Sequence, residues 1–249
     1  MYIPSGLSSL YVMGRFGVVI LAVGLVFAMG GGSAESPDAM ITFAFYEGDI
    51  SVIENVYPIL NLHDYKGDVY IATDMIGDTG KLTEEDLISL FEAGWGIGSH
   101  GLTYQDLTNL NEEDILYQLT ESKNILTEIV PEVNSFYIPY DSFNNNTLDL
   151  ISQKYSAAIS SYGNSANDLP LREGDQYRIN ALNFNDLDLD EAKLIIDNLE
   201  NDQWLIIALE GIGNNHNWSE NEFTELVNYI NNNGFSGLNN SRIERTARL

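Results

Sequence analysis

The stretch Ile41-Thr42-Phe43-Ala44-Phe45-Tyr46-Glu47-Gly48-Asp49 decides how this chain is read. An uncharged, mostly apolar run ends abruptly in a Tyr-Glu pair and a glycine. A short continuous apolar run bounded by a turn signal suits a strand buried on both faces. Similar runs recur at 69–72, 96–98, 135–138, 157–160, 177–179 and 204–209, the last being the most apolar. All are read as strands.

Helices fill the gaps, and their starts are written alike. Thr83, Asn111, Asp188 and Ser219 are each followed three residues later by an acid: Asp86, Asp114, Glu191 and Glu222. An apolar residue before each cap (Leu82, Leu110, Leu187, Trp218) is placed to staple onto one just past the acid. The acid also suits the positive end of the helix dipole. The longest helix is expected over 112–129, with Ile115, Leu116, Leu119, Leu126 and Ile129 on one face and Pro131 as its stop. Strands alternating with helices argue for parallel βα units, in a barrel or an open sheet. The segment 163–174 reads as a polar loop.

Parallel α/β folds place their sites at the carboxyl ends of strands. Four such ends carry polar or aromatic clusters. They are Tyr46-Glu47-Gly48-Asp49; Gly98-Ser99-His100-Gly101-Leu102-Thr103-Tyr104; Tyr137-Ile138-Pro139-Tyr140-Asp141; and Leu209-Glu210-Gly211-Ile212. In this order and spacing they resemble the signature of the polysaccharide deacetylase family (the NodB homology domain). Its motifs read T-F-D-D-G, H-S-x-x-H, R-x-P-Y-G and L-x-x-H-G-I. The resemblance spans roughly residues 40 to 233, and the scaffold residues match best: Phe43, Phe45, Gly48, Gly98-Ser99-His100, Pro139-Tyr140 and Gly211-Ile212.

The resemblance implies an α/β fold, a deformed (β/α) barrel, and descent from metal-dependent carbohydrate N-deacetylases. It also assigns roles by position. Tyr46 stands where the family has its general base, and Glu210 where it has its general acid. Glu47, His100 and Tyr104 stand at the metal ligands, of which only His100 is unchanged. Tyr137 replaces the arginine that orients the base, and Pro139 and Tyr140 keep the substrate-side motif.

These departures have a chemical cost. A catalytic zinc site usually takes three protein ligands in fixed geometry. His100 and Glu47 can supply two. Tyr104 must ionise from a pKa of about 10 to supply the third. A tyrosine at 46 is a poor base at neutral pH, and Glu210 can act as an acid only if burial raises its pKa. The expectation is therefore an exported, polysaccharide-deacetylase-like protein with impaired catalysis and a glycan-binding or structural role at the cell surface. Tyr46, Tyr104, Tyr137 and Tyr140 would line an aromatic cleft suited to sugar rings; alternatively they fill space left by lost polar groups. Two other functions stand beside this one. One is an active deacetylase using a divalent metal such as zinc on Glu47, His100 and Tyr104. The other is an extracellular protein-interaction module. His63 and the loop residue His216 read as surface histidines, although His216 is placed to approach the cleft.

The chain carries 11 Lys+Arg against 37 Asp+Glu, a formal charge of -26. That field repels nucleic acid and anionic membranes, and it serves solubility first. The absence of cysteine excludes disulfides, thiolate metal sites and cysteine nucleophiles. Arg15, the apolar run 16–29 and the small residues at 30–34 read as a signal peptide with cleavage after Ala34, or as an uncleaved N-terminal anchor. That anchor would be the sole link to a membrane. Residues 1–35 are set apart on this ground. The domain is expected over 36–233, followed by a weakly patterned tail, 234–249, with Arg242, Arg245 and Arg248. Asn145, Asn217 and Asn239 each open an N-x-S/T sequon.

Overall fold

A computed structural model describes residues 39–213 and 215–235. The expected targeting segment, the three tail arginines and the Asn239 sequon lie outside the described residues. No helix among the described residues is long and apolar enough to cross a membrane.

Five strands pair in parallel, in chain order: β1 (Met40–Phe45), β2 (Gly67–Ile71), β3 (Gly96–Ser99), β4 (Ser135–Tyr137) and β5 (Ala157–Ser160). Three short strands follow: β6 (Asn167–Asp168), β7 (Ile179–Asn180) and β8 (Leu182–Asn183). The last, β9 (Gln203–Leu209), returns to the free edge of β1 and pairs parallel with it from Met40↔Trp204 to Phe45↔Leu209. The ring is brought round by one stretch that changes partners. β7 pairs with β5, and β8, just past Ala181, pairs with β9. The Ala181 amide donates to the Ser160 carbonyl, and the Phe184 amide to that of Ala208. β6 lies antiparallel on β9, so the sheet is mixed. The result is the expected deformed barrel, nearly closed.

Alternation along each strand divides the core in two. Ile41, Phe43 and Phe45 of β1 and Leu205, Ile207 and Leu209 of β9 face outward, where Phe223, Leu226 and Ile230 cover them. Ala44, Tyr70, Tyr137, Ile159, Trp204, Ile206 and Ala208 fill the interior. The interior is tight. A Cβ at Gly98 would stand 2.3 Å from the Tyr70 ring, so β3 needs glycine there. The buried Trp204 Nε1 donates to Thr42 Oγ1 at 3.0 Å, which meets the hydrogen-bond demand of both inside the barrel.

The helices are α1 (Tyr57–Asn61, after a π-helical turn at Val52–Val56), α2 (Glu84–Glu92), α3 (Glu112–Ile129), α4 (Asn145–Ser152), α5 (Leu189–Asp197) and α6 (Glu220–Asn232). The four start signals fall where they were read. Thr83, Asp188 and Ser219 form reciprocal capping boxes, and Asn111 Oδ1 accepts from the Asp114 amide at 3.0 Å. A fourth box, Asn144 with Thr147, starts α4; its third position carries a hydroxyl rather than an acid and so escaped the pattern.

Two local expectations need correction. The strand expected over 177–179 begins at Ile179, because Asp175–Tyr177 form a 3-10 turn behind Gly174 at φ 94°. The loop over 163–174 contains β6. Its polar residues give no strand signal, and they are held by side-chain bonds: Asn167 Nδ2 donates to the carbonyls of Asn180 and Trp204.

Candidate functional site

The carboxyl ends of β1, β3, β4 and β9 converge on one mouth. The turns that carry its side chains are strained. Glu47, Tyr104, Tyr140 and Asp141 all lie at positive φ, 63°, 49°, 58° and 53°, where L-residues are rarely found and where functional sites concentrate such strain.

His100 is the centre of the arrangement and is only 1% exposed. Its Nδ1 lies 2.8 Å from the Tyr137 carbonyl oxygen. A carbonyl can only accept, so the ring proton sits on Nδ1 and Nε2 keeps its lone pair. That Nε2 is buried and has no hydrogen-bond partner. Burial lowers the imidazole pKa to about 4, against the pull of the Tyr137 carbonyl, so His100 is neutral.

Aromatic rings surround it. Ring centroids lie 4.7 Å away at Tyr104, 5.3 Å at Tyr137 and 6.0 Å at Tyr46. Tyr46 stacks on Tyr137 at 5.2 Å, and Tyr104 stacks on Tyr140 at 4.8 Å. Every sequence-predicted tyrosine therefore enters one continuous cluster, and Pro139, buried, opens the turn that presents Tyr140. Tyr140 is 60% exposed. Beside it a groove of ≈ 580 Å³ is lined by Tyr104, Gln105, Asp106, Asn109, Leu110, Tyr140 and Ser142. A larger groove near Lys154 and Arg172 lies at the amino end of β5, away from these residues.

The electrostatics run against ionised phenols. Burial first, and the Glu210 charge next, push Tyr46 well above its ordinary range. Its hydroxyl accepts from Asn185 Nδ2 at 2.6 Å and Asn183 Nδ2 at 3.4 Å. Burial and then Glu47 raise Tyr104; burial and then Asp141 raise Tyr137. The Tyr137 hydroxyl is 2.6 Å from Ser161 Oγ. Glu210 is raised by burial and then by Glu47, and its amide donates to Asn185 Oδ1 at 3.0 Å.

Lys81 and Asn185 escaped the sequence reading, and Asp49 and Asp141 stood in the quoted stretches with no role assigned. Asp141, raised by burial, accepts from the Ser161 amide. Asn185 holds both Tyr46 and the Glu210 backbone, yet nothing in the loop marks it. Lys81 Nζ stands 3.8 Å from Glu47 Oε2. Asp49 lies 3.3 Å from His216 Nε2. Burial pushes the Asp49 carboxyl up, but hydrogen bonds from Ser51 and then His216 outweigh it and lower the pKa. His216 thus does reach back toward the mouth from its loop. His63 lies at the surface, with Nε2 3.0 Å from Asn228 Oδ1.

These donors do not fit a catalytic divalent ion. His100 Nε2 is well prepared, since a ligating histidine typically donates its other N–H to a carbonyl. Its partners are not. Glu47 already faces a lysine, and Tyr104 is driven away from the phenolate that ligation needs. Among the described residues no three His, Cys, Asp or Glu side chains form a group able to hold a metal ion.

Fold and mouth together define an α/β barrel with a strand-end site. The chain belongs to the polysaccharide deacetylase family: the family model described as polysaccharide deacetylase matches residues 33–157, half of the chain. Among solved structures it is similar to the carbohydrate esterase domain of a multidomain xylanase from the hindgut metagenome of Trinervitermes trinervoides (19% identity, 80% of this chain and 86% of that chain covered, TM-score 0.57). It is also similar to a family 4 acetyl xylan esterase from Clostridium thermocellum solved with a cobalt ion (14%, 79% and 86%, 0.57). A third similar structure is a carbohydrate esterase family 4 pseudoenzyme from Bacillus anthracis (13%, 80% and 63%, 0.57). At these identities the likeness is one of fold. No curated protein matches the sequence.

Proposed function

We propose that this chain is an exported, polysaccharide-deacetylase-like protein that binds glycan at the barrel mouth and has lost most of the inherited hydrolysis. One observation carries the reading: the base position is Tyr46, buried, accepting hydrogen bonds, and pushed further from ionisation than a free phenol. Such a group cannot take a proton from water at neutral pH. The stacked Tyr104–Tyr140 pair beside an open groove offers sugar rings an apolar face instead. The Bacillus anthracis pseudoenzyme supports the reading, since a relative of this fold is described as inactive and a mutant of it as having restored activity. Retention of the protein on immobilised chitin or xylan, with no acetate released from either, is the expected result. Acetate release that zinc stimulates and His100→Ala abolishes would overturn it.

The prepared lone pair of His100 favours a second reading, an active hydrolase with the ligand set Glu47, His100 and Tyr104. It requires one tightly held metal per chain in the purified protein.

A further inference from the structure

The mouth gathers carboxylates, Glu47, Glu210 and Asp141, in a chain of net charge -26, and yet its donors do not suit a metal. Lys81 accounts for both facts. The segment before α2 is clamped to the very turn that carries Glu47. Asp49 and Lys81 form an antiparallel bridge. The Ile50 amide donates to the Gly80 carbonyl at 2.9 Å, and the Leu82 amide to that of Gly48 at 2.9 Å. This backbone stitching delivers the Lys81 ammonium to 3.8 Å from Glu47 Oε2, with the lysine side chain only 23% exposed. Its charge is also felt at His100 and Glu210.

We propose that the Lys81 ammonium is the resident cation of this mouth, neutralising Glu47 in place of a divalent ion and excluding one. Resting on the reading that metal chemistry has been lost, the proposal names what replaced it. A fixed positive charge a few ångströms from the carboxylate acts twice. It satisfies an acid that is partly withdrawn from water, and it repels any dication approaching the same oxygen.

The test is calorimetric titration of the full chain with zinc chloride, in the absence of any glycan. Lys81→Met and Lys81→Gln remove the charge by different routes, Lys81→Arg keeps it, and circular dichroism verifies the fold of each. The charge-free variants should bind one zinc per chain about tenfold or more tighter than wild type. Lys81→Arg should match wild type, and adding His100→Ala to Lys81→Met should abolish the gain. Wild type binding zinc as tightly as Lys81→Met would overturn the proposal, as would an equal gain in Lys81→Arg or no gain in either charge-free variant. Glycan retention, measured separately on wild type, tests the reading beneath it, so the two can fail independently.

Discussion

The outer core and the barrel mouth are built from the same strands and obey opposite rules. Outside, Phe223 meets Phe43 and Phe45 edge to face, its ring centroid 5.5 Å from the first and 6.3 Å from the second. None of these three rings titrates, and their packing is their purpose. Inside the mouth the tyrosines, His100 and the carboxylates dominate, and burial displaces most of their pKa values from where water would put them. Apolar burial stabilises the first region. The second costs stability, as functional sites commonly do.

Substitutions can break or sharpen this contrast. Phe223→Ala should have the largest effect, a loss of about 3–5 kcal/mol read from urea unfolding, because it empties a closed aromatic contact. Tyr140→Ala should behave in the reverse manner. Its side chain is largely exposed, so stability should hold within about 0.5 kcal/mol, while retention on immobilised glycan should weaken about tenfold. A loss of stability with unchanged retention would place Tyr140 with the outer core. The smallest effect concerns pH. The folded-state pKa of Glu210 is raised, so at neutral pH the native state holds a carboxylate it would rather protonate. Glu210→Gln should therefore be slightly more stable than wild type at pH 7, by less than about 1 kcal/mol given the partial exposure. The gain should shrink as pH falls through the raised pKa, since wild type then protonates in the folded state first. Asp49 has the opposite sign: its pKa is lowered, so its contribution is present above the ordinary carboxylate range and fades as pH falls below it.

The legibility of the chain follows the same division. β1 to β5, β9 and four helix starts could be read because continuous apolar runs and cap-plus-acid spacing are local signals. β6 and β8 could not, since each is only two residues long, and such a length leaves no period to detect. At the mouth, motif order located Tyr46, Glu47, His100, Tyr104, Tyr137 and Glu210. It missed Lys81 and Asn185, whose roles depend on backbone crossings far from any motif. Asp141 stood within a quoted motif, and its carboxylate gained meaning only once the turn brought it to the Ser161 amide, with its charge felt at Tyr137.

The stretch that passes from β5 to β9 around Ala181 has a consequence for the mouth. Asn183 lies in that stretch and Asn185 just beyond it, and between them they latch the Tyr46 hydroxyl and the Glu210 amide. The segment that joins the two ends of the barrel thus also holds one side of the mouth. A substitution in this short stretch, although it lies outside every motif, would therefore loosen the Tyr46 hydroxyl and the Glu210 backbone together.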